Sequence, residues 1–149
     1  MNVLSVEICT VGEPHLVGLR LLVDARDLRD RVREHEAALG EELAGRYGYL
    51  PAGEVLPPAR HLLGEPAARY SGTDGRTYLL ICDCGDPGCW PLEARVTAAA
   101  ETVTWSGFRQ PHRPAWSYED LGPFTFERGQ YEGALRDGAA SLLGGGRRA

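Results

Sequence analysis

The sequence predicts an α+β fold, a single domain in which a mostly antiparallel sheet of about five strands carries two packed helices. Three observations lead to this prediction. Apolar and polar residues alternate in several short segments, as they do along half-buried strands, and two longer segments repeat apolar residues at helical spacing. The chain has 149 residues, the length of one ordinary domain. We expect residues 1–149 to form one globular unit with a frayed tail over 144–149.

The N-terminal segments predict a β-hairpin. Residues 3–9 and residues 16–23 both alternate apolar with polar side chains, which is the periodicity of a strand. Gly12-Glu13-Pro14 lies between them and has the composition of a turn. We therefore expect two antiparallel strands joined at residues 12–14.

A helix is predicted to follow the hairpin. Either Asp24 or Asp27 can cap it, because a carboxylate accepts hydrogen bonds from the free amides of the first turn. The apolar residues at helical spacing are Leu28, Val32, Leu39 and Leu43. Gly40 or Gly45 would end the helix. The charged run from Arg26 to Glu36 is then expected to be its solvated face.

The second half predicts a three-stranded meander. Its strand segments are residues 77–83, 92–97 and 102–106, each with alternating or doubly apolar faces. Residues 45–76, which precede them, are rich in Gly and Pro. We expect this stretch to be an irregular connection that packs down as short turns.

A second helix is predicted to begin near Glu127. Gln130 stands three residues further on, as in a capping box, and Phe126 can pack on Tyr131 as a hydrophobic staple. This helix would complete the α+β arrangement by covering the sheet near its last strand.

Charge and composition exclude several classes of protein. The formal net charge is −5, so the chain lacks the basic surface of a polyanion-binding protein, and nucleic acid is not an expected partner. The first residues have neither the basic region nor the long apolar run of a signal peptide. No apolar stretch approaches the ~20 residues that span a bilayer, so no membrane partner is expected. We expect a cytoplasmic protein whose thiols stay reduced.

Three of the four cysteines lie in one short loop between predicted strands. The loop has the sequence Cys82-Asp83-Cys84-Gly85-Asp86-Pro87-Gly88-Cys89-Trp90-Pro91. Its centre predicts a tight turn, in which Pro87 fixes φ and Gly88 accepts a positive φ. Cys84 and Cys89 then flank the turn, and Cys82 shares a face with Cys84. The three sulfurs can therefore converge.

Three interpretations of this loop stay open. In the first, Cys82, Cys84 and Cys89 bind zinc, and Cys9, His112 or another histidine completes the four ligands of a structural site. In the second, Cys84 and Cys89 form a reversible disulfide. In the third, the thiols only pack, with Cys82 in the core. An enzyme at this loop would use Cys84 or Cys89 as nucleophile and His112 as base.

Residues 105–118 form a second candidate site, the aromatic–basic segment, which contains no acidic residue. Its candidate binding residues are Trp105, Arg109, His112, Arg113 and Trp116. Arg binds carboxylate or phosphate through paired hydrogen bonds, and Trp is a common interface anchor. We predict that the segment binds a protein partner or a small anionic ligand. In the structural alternative, Trp105 packs inward and the arginines pair with Glu119 or Asp120.

Two motifs resemble those of an uncharacterised family of small bacterial proteins of the actinobacterial type. They are Cys82-x-Cys84-Gly85-x-x-Gly88-Cys89-Trp90-Pro91-Leu92 and Thr104-Trp105-x-x-Phe108-x-Gln110-Pro111-His112-Arg113. The resemblance covers roughly residues 77–135. All 16 basic residues are Arg, which is typical of a GC-rich genome and agrees with such a source. The family offers no activity, cofactor or partner, so the resemblance implies one compact unit and no chemistry.

Function is predicted from these two sites. No phosphate-binding Gly loop, H-E-x-x-H, G-x-S-x-G or paired-carboxylate signature occurs, which favours a non-enzymatic protein. The leading prediction is a small acidic interaction or ligand-binding module that acts through the aromatic–basic segment. The alternative is a zinc-stabilised fold or a thiol enzyme at Cys82, Cys84 and Cys89.

Overall fold

Two antiparallel β-sheets with helices packed on them make up the protein in a computed structural model, which describes residues 1–11, 16–39 and 46–146. In chain order, the elements are β1 (Leu4–Val11), β2 (Leu16–Val23), β3 (Arg26–Asp27), α1 (Leu28–Ala37), β4 (Tyr47–Gly48), β5 (Leu50–Pro51), α2 (Ala52–Val55), β6 (Thr77–Cys82), β7 (Leu92–Ala98), β8 (Thr102–Arg109), β9 (Phe124–Glu127) and α3 (Arg128–Gly146). The predicted α+β class is confirmed.

The strands are divided between two sheets. The first has the order β1-β2-β3, with β5 also paired to β2, and the second has the order β4-β6-β7-β8-β9. The predicted hairpin is β1–β2, in which Leu4 lies opposite Val23; its turn at residues 12–14 falls outside the described residues. Because β3 and β5 occupy the free edge of β2, the hairpin forms its own sheet and does not extend the meander.

The predicted meander is confirmed as β6, β7 and β8, which pair antiparallel in sequence order. The sequence pattern did not single out β9, which adds to the meander through Phe124 opposite Trp105. At the other edge, Tyr47 of the two-residue strand β4 lies opposite Cys82 of β6. This short pairing brings the irregular connection against the end of the cysteine loop.

Helix α1 is shorter than the sequence predicts. Of the two candidate caps, Asp27 is the one used, because its Oδ1 accepts a hydrogen bond from the Arg29 amide at 2.8 Å. The helix ends at Ala37, and Leu39, expected in the buried stripe, lies beyond that end and is 40% exposed. The other residues expected to extend or end the helix, Gly40, Leu43 and Gly45, lie outside the described residues.

Helix α3 begins as the sequence predicts. The Glu127 carboxylate accepts a hydrogen bond from the Gln130 amide at 3.0 Å, which is one half of a capping box. The Gln130 side chain departs from that motif, since its Oε1 accepts from the Leu4 amide at 3.0 Å. The rings of Phe126 and Tyr131 lie 5.2 Å apart and form the expected staple.

The C-terminal helix extends further than expected. It continues to Gly146, into the stretch 144–149 that is predicted to fray. Residues 147–149 lie outside the described part of the chain. No helix among the described residues combines the length and the apolar character needed to cross a membrane.

Residues 46–76 pack onto the sheets as short elements, as expected of a connection rich in Gly and Pro. One of them is a 3₁₀ turn that holds the buried side chain of His61. The Nδ1 atom of His61 accepts from the Ala67 amide at 3.1 Å, and Nε2 lies 2.8 Å from the Tyr78 carbonyl. These partners require the neutral ring with its proton on Nε2. Burial lowers the pKa of His61, and the hydrogen bond to the Tyr78 carbonyl offsets part of this effect.

We expect stability to decrease in mild acid, because protonated His61 can no longer accept the Ala67 amide. The folded-state pKa lies below the unfolded value, so the stabilisation is complete above about pH 6.5 and is lost as the pH falls through the folded pKa. Urea unfolding at a series of pH values between about 7.5 and about 5 measures this loss. The His61→Gln variant should show a shallower dependence, and equal slopes would contradict the assignment.

Candidate metal centre

The cysteine loop connects β6 to β7 and turns at Asp86. The Cys89 amide donates to the Asp86 carbonyl at 3.3 Å, and the Gly88 amide donates to the Asp86 carboxylate at 3.1 Å. The predicted tight turn is therefore present, but the positive φ is not at Gly88. It lies at Gly85, where φ is +90° and no neighbouring atom would meet a side chain. The chain bends there, and the Gly85 amide donates to the Cys82 carbonyl at 3.0 Å.

This backbone path brings three sulfur atoms together. One ligand atom from each of Cys82, Cys84 and Cys89 lies within 4.8 Å of the other two. Cys82 ends strand β6 and is buried, whereas Cys84 and Cys89 lie in the loop and are exposed. All three are free thiols. Cys82 is buried, as the interpretation of simple packing expects, whereas the exposure of Cys84 and Cys89 contradicts that interpretation.

The surroundings of the thiols give them different acidities. Burial raises the pKa of the Cys82 thiol to about 12. The hydrogen bond from the Asp86 backbone amide lowers the pKa of Cys84, and the Cys82 thiol adds to this effect. A bound divalent cation would deprotonate Cys82 in spite of this raised pKa, because metal coordination deprotonates a thiol outright.

The candidates for a fourth ligand are engaged elsewhere. The Cys9 thiol lies in the first sheet and contacts the Gly18 carbonyl at 3.5 Å. His112 Nε2 lies 2.8 Å from the Gly88 carbonyl, and His35 Nε2 lies 2.8 Å from the Ser117 carbonyl. Among the described residues, none of these joins the three-sulfur cluster. His61 is held as described above, and His15 lies outside the described residues. The described part of the chain thus offers three ligands at this point.

The aromatic–basic segment meets the cysteine loop at Trp90. The His112 ring stacks on the buried Trp90 ring with centroids 6.2 Å apart and planes 11° apart. The Arg113 guanidinium lies 5.1 Å from the centre of the same ring, and Trp116 approaches it edge-on at 6.1 Å. We call Trp90, His112, Arg113 and Trp116 the Trp90 cluster. The two sites predicted separately are therefore neighbours on one surface.

Two predicted binding residues do not belong to this surface. Trp105 is fully buried, and its indole Nε1 donates to the Tyr131 hydroxyl at 3.0 Å. It is a core residue, as the structural alternative proposed, and offers no contact to a partner. Arg109 is directed towards Asp74, with Nη1 4.0 Å from Oδ2, rather than towards Glu119 or Asp120. The expectation that Trp105 binds a partner is thus wrong because of its burial.

The His112 base expected of a thiol enzyme is not in contact with a sulfur. Its Nε2 is taken by the Gly88 carbonyl, and the ring lies flat on Trp90. Within the described chain, His112 therefore braces the loop from outside. Its hydrogen bond holds Gly88, the residue before Cys89.

Sequence reasoning missed the residues on the other side of the thiols. A cavity of about 260 Å³ is lined by Arg46, Cys82, Asp83, Cys84, Cys89 and Trp90. Arg46 Nε lies 3.8 Å from Asp83 Oδ2, and the Asp83 amide donates to the Arg46 carbonyl at 3.2 Å. Nothing local marks Arg46, since its position depends on the two-residue pairing of β4 with β6. Asp83 could have been predicted to lie near the thiols, because it stands between Cys82 and Cys84 in the sequence.

Comparisons of the chain with protein-family models, with curated proteins and with solved structures find no match. The resemblance of residues 77–135 to a bacterial family therefore stays a prediction.

Proposed function

We propose that this protein binds zinc through the thiolates of Cys82, Cys84 and Cys89. The observation that carries the proposal is the convergence of their sulfur atoms within 4.8 Å of one another. Zinc–sulfur bonds of about 2.3 Å in tetrahedral geometry place the ligand sulfurs about 3.8 Å apart. Small side-chain rotations bring the three thiols to that spacing.

The loop supports metal binding because its backbone is held by contacts that do not involve the sulfurs. The turn at Asp86 is closed by two hydrogen bonds, and His112 contacts the Gly88 carbonyl while it stacks on Trp90. A ligand set that is already in place loses little conformational entropy when the ion binds. Contacts of this kind around the residues that bind a metal usually fix the orientation of the ligand side chains.

Zinc accounts for the three thiols better than the other interpretations do. A disulfide between Cys84 and Cys89 would use two of the sulfurs and give Cys82 no role. Simple packing does not explain two exposed thiols beside a buried one. Zinc uses all three, and soft thiolate ligands favour zinc over the hard cations.

The proposal also gives the protein a ligand-binding role, but it places this role at the cysteine loop and not at the aromatic–basic segment that the sequence favours. Three protein ligands leave one coordination position for water or another molecule, which is typical of zinc sites that act on a ligand. The three thiols and Trp90 line one cavity, and His112 stacks on the same Trp90 ring. A protein partner at His112, Arg113 and Trp116 is the second candidate, favoured by the half-exposed edge of this cluster.

Metal analysis tests the proposal. The purified wild-type protein is expected to carry about one zinc per chain after dialysis against a weak chelator, measured by inductively coupled plasma mass spectrometry. Cys84→Ser and Cys89→Ser should lose most of this zinc, and their exposed positions make misfolding an inadequate explanation. The matched control is Cys9→Ser, which removes a thiol from the first sheet and should keep the wild-type content. No zinc in the wild type, or equal zinc in all variants, would refute the proposal.

A further inference from the structure

We infer that the fourth coordination position of the zinc takes the sulfur of a small thiol that also carries a carboxylate, and that Arg46 pairs with this carboxylate. The inference rests on the proposed zinc site and names the class of ligand for it. It follows from the composition of the cavity, from the chemistry of zinc bound by three thiolates, and from the position of one guanidinium.

The cavity gives the ligand its size. Its volume of about 260 Å³ corresponds to roughly nine water molecules at their share of liquid volume. Sites for drug-sized ligands usually begin at about 300 Å³. A compound of a few heavy atoms therefore fits within this volume.

The chemistry of the ion selects the donor atom. Zinc is a borderline-soft cation, and in sites with three thiolates a fourth thiolate completes the familiar tetrahedral sulfur set. The surrounding protein offers no fourth sulfur, because Cys9 contacts Gly18 in the first sheet and lies outside the described cluster. An external thiol is the donor that completes the set.

Arg46 selects the second group of the ligand. It is the one cationic side chain among the described residues that line the cavity. Its backbone is fixed by the hydrogen bond from the Asp83 amide, and its side chain is 58% exposed and available from solvent. The guanidinium fork matches a carboxylate in two parallel hydrogen bonds. Arg46 now forms a loose, exposed ion pair with Asp83, with 3.8 Å between Nε and Oδ2. A ligand can displace Asp83 from this pair at little cost in free energy.

The binding step is a ligand exchange in which atoms and charge balance. The incoming thiol gives its proton to solvent, its sulfur forms a bond to zinc, and the water that occupied the fourth position leaves. The zinc stays divalent throughout, and no protein thiol changes its oxidation state. The added negative charge of the sulfur and the carboxylate is partly offset by Arg46.

Cobalt(II) in place of zinc makes this exchange visible. Zinc has a filled d shell and is spectroscopically silent, whereas tetrahedral cobalt absorbs in the visible and shows sulfur-to-metal charge-transfer bands. The full-length cobalt protein is titrated with three compounds, namely mercaptopropionate with both groups, mercaptoethanol with the thiol alone, and propionate with the carboxylate alone. The cobalt that remains with the protein is measured after gel filtration at each step.

Mercaptopropionate is expected to raise the charge-transfer absorbance by about one third, as three sulfur ligands become four. It should bind about 1.4-fold to fivefold more tightly than mercaptoethanol, which is the usual range for an exposed ion pair. Arg46→Gln should abolish that difference. The matched control is Arg109→Gln, which removes another exposed arginine paired with an acid, at 4.0 Å from Asp74, and should keep the difference.

The outcomes separate this inference from the zinc site itself. A wild-type protein that gives no cobalt–sulfur spectrum refutes the zinc site, and the inference falls with it. A normal spectrum that no thiol changes, or cobalt that leaves the protein with the added thiol, overturns the inference alone. The same holds if propionate gives the same change as mercaptopropionate, or if mercaptopropionate and mercaptoethanol bind equally.

Discussion

Trp105→Ala is expected to lower the free energy of unfolding by about 3–5 kcal/mol, the range for removing a large aromatic side chain from a core. The Trp105 ring is fully buried and contacts the rings of Phe126 at 4.9 Å and Tyr131 at 6.2 Å. The substitution also takes the indole donor away from the Tyr131 hydroxyl. For a domain of this length the midpoint of thermal unfolding should fall by about 6–20 °C, measured by calorimetry.

Trp116→Ala is the matched control, since it removes the same side chain from the same predicted segment. Trp116 is half-buried and meets the Trp90 ring only edge-on at 6.1 Å. Its removal should cost about 1–2 kcal/mol, because one aromatic pair contributes about 0.5–1.5 kcal/mol and a half-buried ring adds only part of its burial energy. If both variants lost the same stability, the distinction between core and surface tryptophan would be wrong.

The two tryptophans show how much the sequence could predict. In residues 102–106, Val103 and Trp105 alternate with polar residues, so strand parity already places Trp105 on the buried face. The binding prediction for Trp105 failed because residue type was weighed above this periodicity. Trp116 lies in no periodic segment, and only the fold shows that it reaches Trp90.

In the candidate site, too, the features set by nearby residues could be predicted from the sequence, and those set by residues far away in the chain could not. The convergence of the cysteines was predictable, because Asp86, Pro87 and Gly88 specify a turn and the spacing of the thiols sets their faces. Arg46 was not predictable, since a two-residue strand far away in sequence brings it to the cavity. The stacking of His112 on Trp90 likewise depends on how β8 and the residues after it pass the loop.

Glu36 is the clearest case in which local pattern misleads. It ends the charged run that is expected to face solvent, yet its side chain is fully buried. Its carboxylate accepts hydrogen bonds from the hydroxyl groups of Tyr47 at 2.5 Å and Tyr118 at 2.6 Å. Burial, reinforced by the neighbouring carboxylate, raises the pKa of Tyr47. The partners of Glu36 are 11 and 82 residues away in sequence, so no window along the helix can show them.

This buried carboxylate is also linked to the cysteine loop. The side-chain Nε2 of Gln110 donates to the Tyr47 hydroxyl at 3.0 Å and to the carbonyl of Pro91, the residue after Trp90, at 2.8 Å. The network thus links helix α1 to Gln110, which follows strand β8, and to Pro91 at the end of the cysteine loop. Buried networks of this kind contribute to stability only while every member has its partner.

Glu36→Ala is therefore expected to destabilise the fold by about 3–6 kcal/mol, because hydrogen bonds to a charged group contribute about 1.5–3 kcal/mol each and two tyrosine hydroxyls lose theirs. Glu34→Ala, on the same helix but 66% exposed, should cost less than about 1 kcal/mol. In a background with Tyr47→Phe and Tyr118→Phe, Glu36→Ala should cost clearly less, since the hydroxyls it would leave unpaired are gone. Urea unfolding of the cycle measures the coupling. Equal costs of Glu36→Ala in both backgrounds would show that the tyrosines do not hold the carboxylate.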